Sequence, residues 1–244
     1  PLEGDFRVKT FNNLRRMVGI FGMALPFACL AGGLIIGWPV MDSMSQYYHT
    51  PMQWLFVSTL TGIASFLIAY SGYCILDRIV TGTGAVLCAA IALFPCADPA
   101  DPSMPVGLLN LSPRVSALLH NISAAGFFLL LAFMSYYLFT LTSQSAPVNR
   151  KKKWRNIIYR WCGRIIVIAM AVTAVIILLE EAGIIRPSYI ILVSEMLMLL
   201  AFGVSWLVKG NTFLTDREED SPSSAKGKKE SARDCALHRI VEGG

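Results

Sequence analysis

Inside an otherwise apolar chain, one carboxylate and two imidazoles stand where chemistry would be done: Glu195, His49 and His120. Glu195 is the one acid in the run from Pro187 to Val208. It follows Pro187 by eight residues, about 12 Å along a helix at 1.5 Å per residue. An ionisable group at that depth is costly and is a functional candidate by default. Such a carboxyl stays protonated, pairs with a His or Arg, or lines a polar cavity. The plainer use is a neutral, hydrogen-bonded acid that ties helices together.

A second set of polar residues falls at the same level. Asp42, Ser43, Ser45, Tyr47, Tyr48 and His49 follow the first apolar run; His120, Asn121 and Ser123 open the fourth; Glu180 and Glu181 close the fifth. Neutral imidazoles beside carboxylates bind zinc, relay protons or hold a polar ligand. Taken singly, each histidine more often packs or sits at an interface. The candidate outer-face site is therefore Asp42, Ser45, Tyr48, His49, His120, Asn121, Glu180, Glu181 and Glu195. A metal, if one binds, falls to His49 and His120, and no cofactor is expected. Arg114 and Arg186 are candidate contacts for an anionic headgroup, or plain interfacial anchors.

The elements that must position these residues are membrane spans. The chain has 244 residues, 55% hydrophobic and 15% charged, with a mean hydropathy of +0.55. A soluble domain carries about 25% charged residues, so an ordinary soluble enzyme, a disordered protein and a disulfide-stapled secreted domain are excluded. A spanning helix needs about 20 mostly apolar residues. The charge-free runs predict six, at about 17–41, 51–76, 79–97, 115–142, 158–181 and 187–208. In the fifth, Arg160 and Arg164 snorkel while Trp154, Tyr159 and Trp161 sit at the interface. The ten-residue alternating segments of a membrane barrel are missing. The expected fold is an all-α polytopic bundle of six transmembrane helices.

Charge placement sets the expected orientation. Arg114 and Arg186 are the only bases of the 21 Lys and Arg that fall on one side; the other 19 lie before span 1, between spans 2 and 3, between 4 and 5 together with the inner end of span 5 (Arg160 and Arg164), and after 6. The base-poor side carries Asp42, Asp98, Asp101, Glu180 and Glu181. By the positive-inside rule both termini are cytoplasmic. The net charge of +5 is thus an orientation signal and does not point to nucleic acid. Residues 1–16 form a cytoplasmic segment with six charges, and no cleavable signal peptide is expected. Residues 17–208 form the transmembrane domain. Residues 209–244, rich in Ser, Lys and Glu, read as a flexible, disordered cytoplasmic tail. The expected location is a plasma membrane, or the inner membrane in a bacterium.

Six cysteines without a CxxC, and without a pair on the outer side, predict apolar packing rather than disulfides or a thiolate metal site. Gly33 and Gly37 form a small-xxx-small pattern in span 1, Pro26 is placed to kink it, and Pro39, Pro51 and Pro95 mark span ends. The chain contains no GxxxxGK[ST], GxGxxG, HExxH or GxSxG.

The stretches Ser43 to Thr50 (SMSQYYHT), Ala69 to Tyr73 (AYSGY), Ala92 to Pro95 (ALFP), His120 and Gly203 to Gly210 (GVSWLVKG) resemble a group of uncharacterised bacterial six-span membrane proteins. The Ser-rich outer turn, the Phe-Pro end of span 3 and the span-4 His also resemble, more distantly, the DRAM/Sfk family. The likeness covers most of residues 10–210. It implies a six-span architecture and a role in membrane or lipid organisation, and it lends no catalytic residue. Seven-span zinc hydrolases of the alkaline-ceramidase type are similar only in having membrane His and acid. The leading functional reading is a non-enzymatic membrane protein that binds lipid, or another membrane subunit or second copy, with a polar outer pocket. A proton-coupled carrier using Glu195 is second, and a metal-dependent intramembrane hydrolase using His49 and His120 third. A reporter enzyme active only outside the cytoplasm is expected to work when fused after Ala100 and to be silent after Ser145; activity after Ser145 reverses the orientation.

Overall fold

The structure is a computed structural model that describes residues 2–70, 75–141, 150–185 and 189–212. The tail beyond 212, Arg186 and residues 71–74 of the expected second span lie outside the described residues; Ile75 and Leu76, expected to close that span, open α3 instead. The order of elements is α1 (Leu2–Ile35), the 3-10 turn η1 (Ser45–His49), α2 (Gln53–Ala69), α3 (Ile75–Leu93), α4 (Pro113–Tyr136), the 3-10 turn η2 (Leu138–Thr140), α5 (Arg150–Glu181) and α6 (Ile190–Lys209). No strand occurs among the described residues, only an isolated bridge between Val106 and Leu111. Five helices are long and apolar enough to cross a membrane. The sixth, α2, is an apolar helix of 17 residues, about 26 Å long, because Tyr70 already leaves the helix with φ −79° and ψ 102°.

Local chemistry explains the helix ends. The apolar run of span 1 extends to Met41, yet α1 stops at Ile35. Gly37 takes φ +76°, and the Trp38 N–H donates back to the Gly33 carbonyl at 2.9 Å. That is a Schellman ending, which a residue without Cβ adopts at no steric cost. Gly183, at φ +70°, closes α5 in the same way, with Ile184 N–H on the Leu179 carbonyl. The Gly33/Gly37 pattern thus serves a helix end and a contact with Tyr47, and is not a helix–helix seam. α3 ends two residues before Pro95, which has no N–H to continue the ladder. Pro26 lies inside α1, which continues through it.

Each helix packs on its sequence neighbours, and α6 returns to α1, so the bundle is a closed ring in chain order with α4 also touching α6. The tightest crossing is α1 on α6. A Cβ on Gly19 would lie 2.9 Å from the Gly203 carbonyl oxygen, and one on Gly203 would lie 2.8 Å from the Gly19 carbonyl oxygen. Backbones this close exclude any side chain between them. α6 is the most enclosed element. Its Trp206 is fully buried and meets the rings of Tyr70, Phe139 and Phe202 edge-on. The outward face of α5, with Val167, Ile168, Val172, Val175 and Leu178, is bare.

The end holding η1 and the α3–α4 connection is termed the outer end, after the charge asymmetry; the opposite end is the inner end. Gly203→Leu is expected to destabilise the bundle by about 1–3 kcal/mol through overpacking. Gly82→Ala, where a Cβ meets nothing within 4 Å, is expected to add about 0.5–1 kcal/mol. Thermal unfolding in detergent measures both.

Candidate functional site

The outer end is organised by backbone groups that the helices leave unpaired. Beyond the end of α3, three successive carbonyls point into protein, and each receives a side-chain donor. His120 Nδ1 donates to Phe94 O at 2.8 Å, Ser116 Oγ to Pro95 O at 2.7 Å, and His49 Nε2 to Cys96 O at 2.8 Å. Ser116 and His120 are four residues apart on α4, so one face of that helix presents both. His49 arrives from η1. Its other nitrogen, Nδ1, faces Asp98 Oδ2 at 3.7 Å, and the Tyr48 ring packs edge-on against it.

The start of α6 is served in the same manner. The Leu192 N–H, which has no partner inside its own helix, donates to the Asp42 carbonyl at 2.9 Å. In the second turn of α6, Glu195 Oε2 accepts from both the Ser43 hydroxyl and the Met44 N–H, each at 2.7 Å. A carboxylate oxygen taking two short donors near a helix N-terminus is well placed for that helix's dipole. Ser43 Oγ lies 2.8 Å from Ser45 Oγ. Glu195, Ser43 and Ser45 therefore form one chain of polar contacts, beside the His49 to Cys96 carbonyl bond. Cys96 lies past the end of α3, and burial pushes its thiol up to about 12, so it is a neutral thiol at physiological pH.

The structure thus brings Asp42, Ser45, His49, His120 and Glu195 into one polar layer, with Tyr48 on its edge. Others of the predicted set stand apart. Asn121, Glu181 and Arg114 are exposed, and their side chains have no hydrogen-bond partner among the described residues. Glu180 is half-buried, with Oε1 enclosed and unpaired. Arg186 lies outside the described residues. Among the described residues no group of three His, Cys, Asp or Glu is arranged to hold a metal ion, and each histidine already gives a ring N–H to a carbonyl.

Ser116 and Cys96 were not legible as members of this layer. Their signal is only that they fall at the same end as the histidines. A polar cluster at the inner end was missed as well. Arg15 is 4% exposed and donates to Tyr70 Oη at 2.7 Å and Asn12 Oδ1 at 3.1 Å. Arg16 caps the end of α6, with Nε on the Gly210 carbonyl at 2.9 Å. Lys209 Nζ lies 5.1 Å from the centre of the Phe139 ring. In the sequence these look like any inner-facing bases.

A groove of about 520 Å³ runs between α4 and α5. Its walls are Leu129, Phe133, Val167 and Ile168, and its inner end holds Tyr136 and Arg164. Comparison with family models, curated proteins and solved structures finds no match to this chain.

Glu195→Ala removes the acceptor of two enclosed donors and is expected to cost about 1–3 kcal/mol for each one left unpaired. Glu195→Gln keeps an acceptor oxygen and is expected to lose about 1 kcal/mol or less. Unfolding midpoints in detergent rank the two; equal losses dismiss the clamp.

Proposed function

We propose that this chain is a non-enzymatic, multi-pass membrane protein that engages lipid, or another membrane subunit, through its lateral helix faces. One observation carries the reading: His49, His120 and Glu195, the outer-end groups suited to chemistry, are committed to partners within the protein. A general base must reach a substrate proton. A catalytic zinc needs three protein ligands and an open fourth position. His49 and His120 spend ring N–H groups on Cys96 O and Phe94 O, and Glu195 spends Oε2 on Ser43 and Met44. The apolar surface, by contrast, is laid out along α4 and α5, where the groove lies.

The carrier reading asks for a polar path from Glu195 to both faces. The hydroxyl chain from Glu195 leads to Ser43 and Ser45, in the turn after α1, rather than inward. Beneath it lie Phe127, Leu131 and Phe202, all apolar and buried. The hydrolase reading would have to free both imidazoles from their carbonyls. Both termini cytoplasmic, six spans and a plasma-membrane or inner-membrane location belong to the same proposal, as does the likeness to the bacterial six-span group and the DRAM/Sfk family.

The test is purification in native lipid particles followed by identification of what stays bound. Co-purifying phospholipid or a stoichiometric membrane subunit supports the proposal. In proteoliposomes, the carrier reading predicts proton-coupled uptake that Glu195→Gln abolishes, and finding it overturns the proposal.

A further inference from the structure

We infer that the α4–α5 groove is a binding site for an anionic phospholipid of the inner leaflet, with the acyl chain between the helices and the phosphate on Arg164. This rests on the membrane-protein reading above and names the ligand class and the place.

The depth of Arg164 comes first. It precedes Glu181, the last residue of α5, by 17 residues, about 26 Å at 1.5 Å per residue. With Glu181 at the outer interface and a hydrocarbon core about 30 Å thick, the guanidinium reaches the inner headgroup region. The residues beside it have the character of that depth. Arg164 lies 5.4 Å from the centre of the Trp161 ring and 5.9 Å from that of Tyr136, and Trp and Tyr collect at the membrane–water boundary.

The chemistry of the groove comes second. Gly163 lets α5 touch α4, since a Cβ there would lie 3.0 Å from the Ala132 carbonyl oxygen. From that contact the groove opens outward along Leu129, Phe133, Val167 and Ile168, with almost wholly apolar walls. Arg164 is exposed at its inner end, and its interactions among the described residues are the two aromatic rings alone, with no carboxylate and no carbonyl. An apolar slot closed at one end by an uncompensated guanidinium is complementary to an acyl chain ending in a phosphate, which Arg binds with paired N–H donors. Basic pockets between helices on the cytoplasmic side are where anionic headgroups are held. A second copy of the chain on the same face would bring a second Arg164 to the same layer, like charge against like charge.

The test uses the full chain in detergent, titrated with palmitoyl-oleoyl phosphatidylglycerol or the phosphatidylcholine of identical chains, with bound lipid counted by native mass spectrometry. Wild type is expected to prefer the glycerol lipid by about tenfold, the worth of one charge-assisted hydrogen bond. Arg164→Gln is expected to remove that preference, and Val167→Trp to reduce retention of both lipids by filling the groove. Lys153→Gln, in the basic run beyond the groove, is expected to leave the preference intact. Equal retention of the two lipids by wild type, lost in Val167→Trp, overturns the anionic headgroup while the lipid-binding reading stands. A preference lowered as much by Lys153→Gln as by Arg164→Gln assigns the effect to the basic surface and overturns the site. A dimer mass abolished by Val167→Trp hands the groove to a second copy and overturns it too. Retention of neither lipid nor any subunit by wild type removes the wider reading as well.

Discussion

The constraint on which this structure rests is that a backbone polar group enclosed at a helix end must find a partner. A helix leaves several N–H groups unpaired at its start and several carbonyls unpaired at its finish. Near hydrocarbon each such group costs several kcal/mol if abandoned. At the outer end the solution is groups from neighbouring elements, mostly side chains and, for the start of α6, the Asp42 backbone carbonyl. His120, Ser116 and His49 serve three carbonyls in a row, Asp42 serves an N–H of α6, and Glu195 serves an N–H of the α1–α2 connection.

This gives α6 a special position. It is held at its start by the α1–α2 connection and at its finish by Arg16 of α1. Between those points it crosses α1 at Gly19 and Gly203 with backbones almost in contact. First and last helices are thereby locked together, which closes the ring in chain order. α5 is the opposite case. It packs by one side on α4 and α6 and leaves a broad apolar face outward, with the groove beside it.

The most expensive residues in the sequence therefore do structural work. Glu195 is half-buried at the depth of a functional acid, but its partners are a hydroxyl and a backbone amide from one turn. Arg164, which in sequence is one more basic residue at the inner end of a span, meets two aromatic rings and no carboxylate among the described residues, and lines a groove. The physical difference is compensation: the acid's hydrogen-bonding capacity is used within the protein, while the base's charge is left for something outside it.

The sequence alone determined the class. The long apolar runs are a solvation requirement that any helix in a bilayer must meet, so an all-α chain with five helices able to cross a membrane was legible. So was the sorting of Lys and Arg to one side, and so was Pro95 as a span end; Gly37, legible only as part of a small-xxx-small pattern, ends α1 instead. It also placed His49, His120 and Glu195 at one level, because height in a helical bundle follows from counting residues. Only the tertiary structure decided azimuth, because a residue number gives height and leaves rotation about the axis to packing against neighbours. Packing turned His120 towards Phe94 and Glu195 towards Ser43, and left Asn121 and Arg114 facing outward. It also set Arg164 beside the groove between α4 and α5, which no spacing in the sequence encodes.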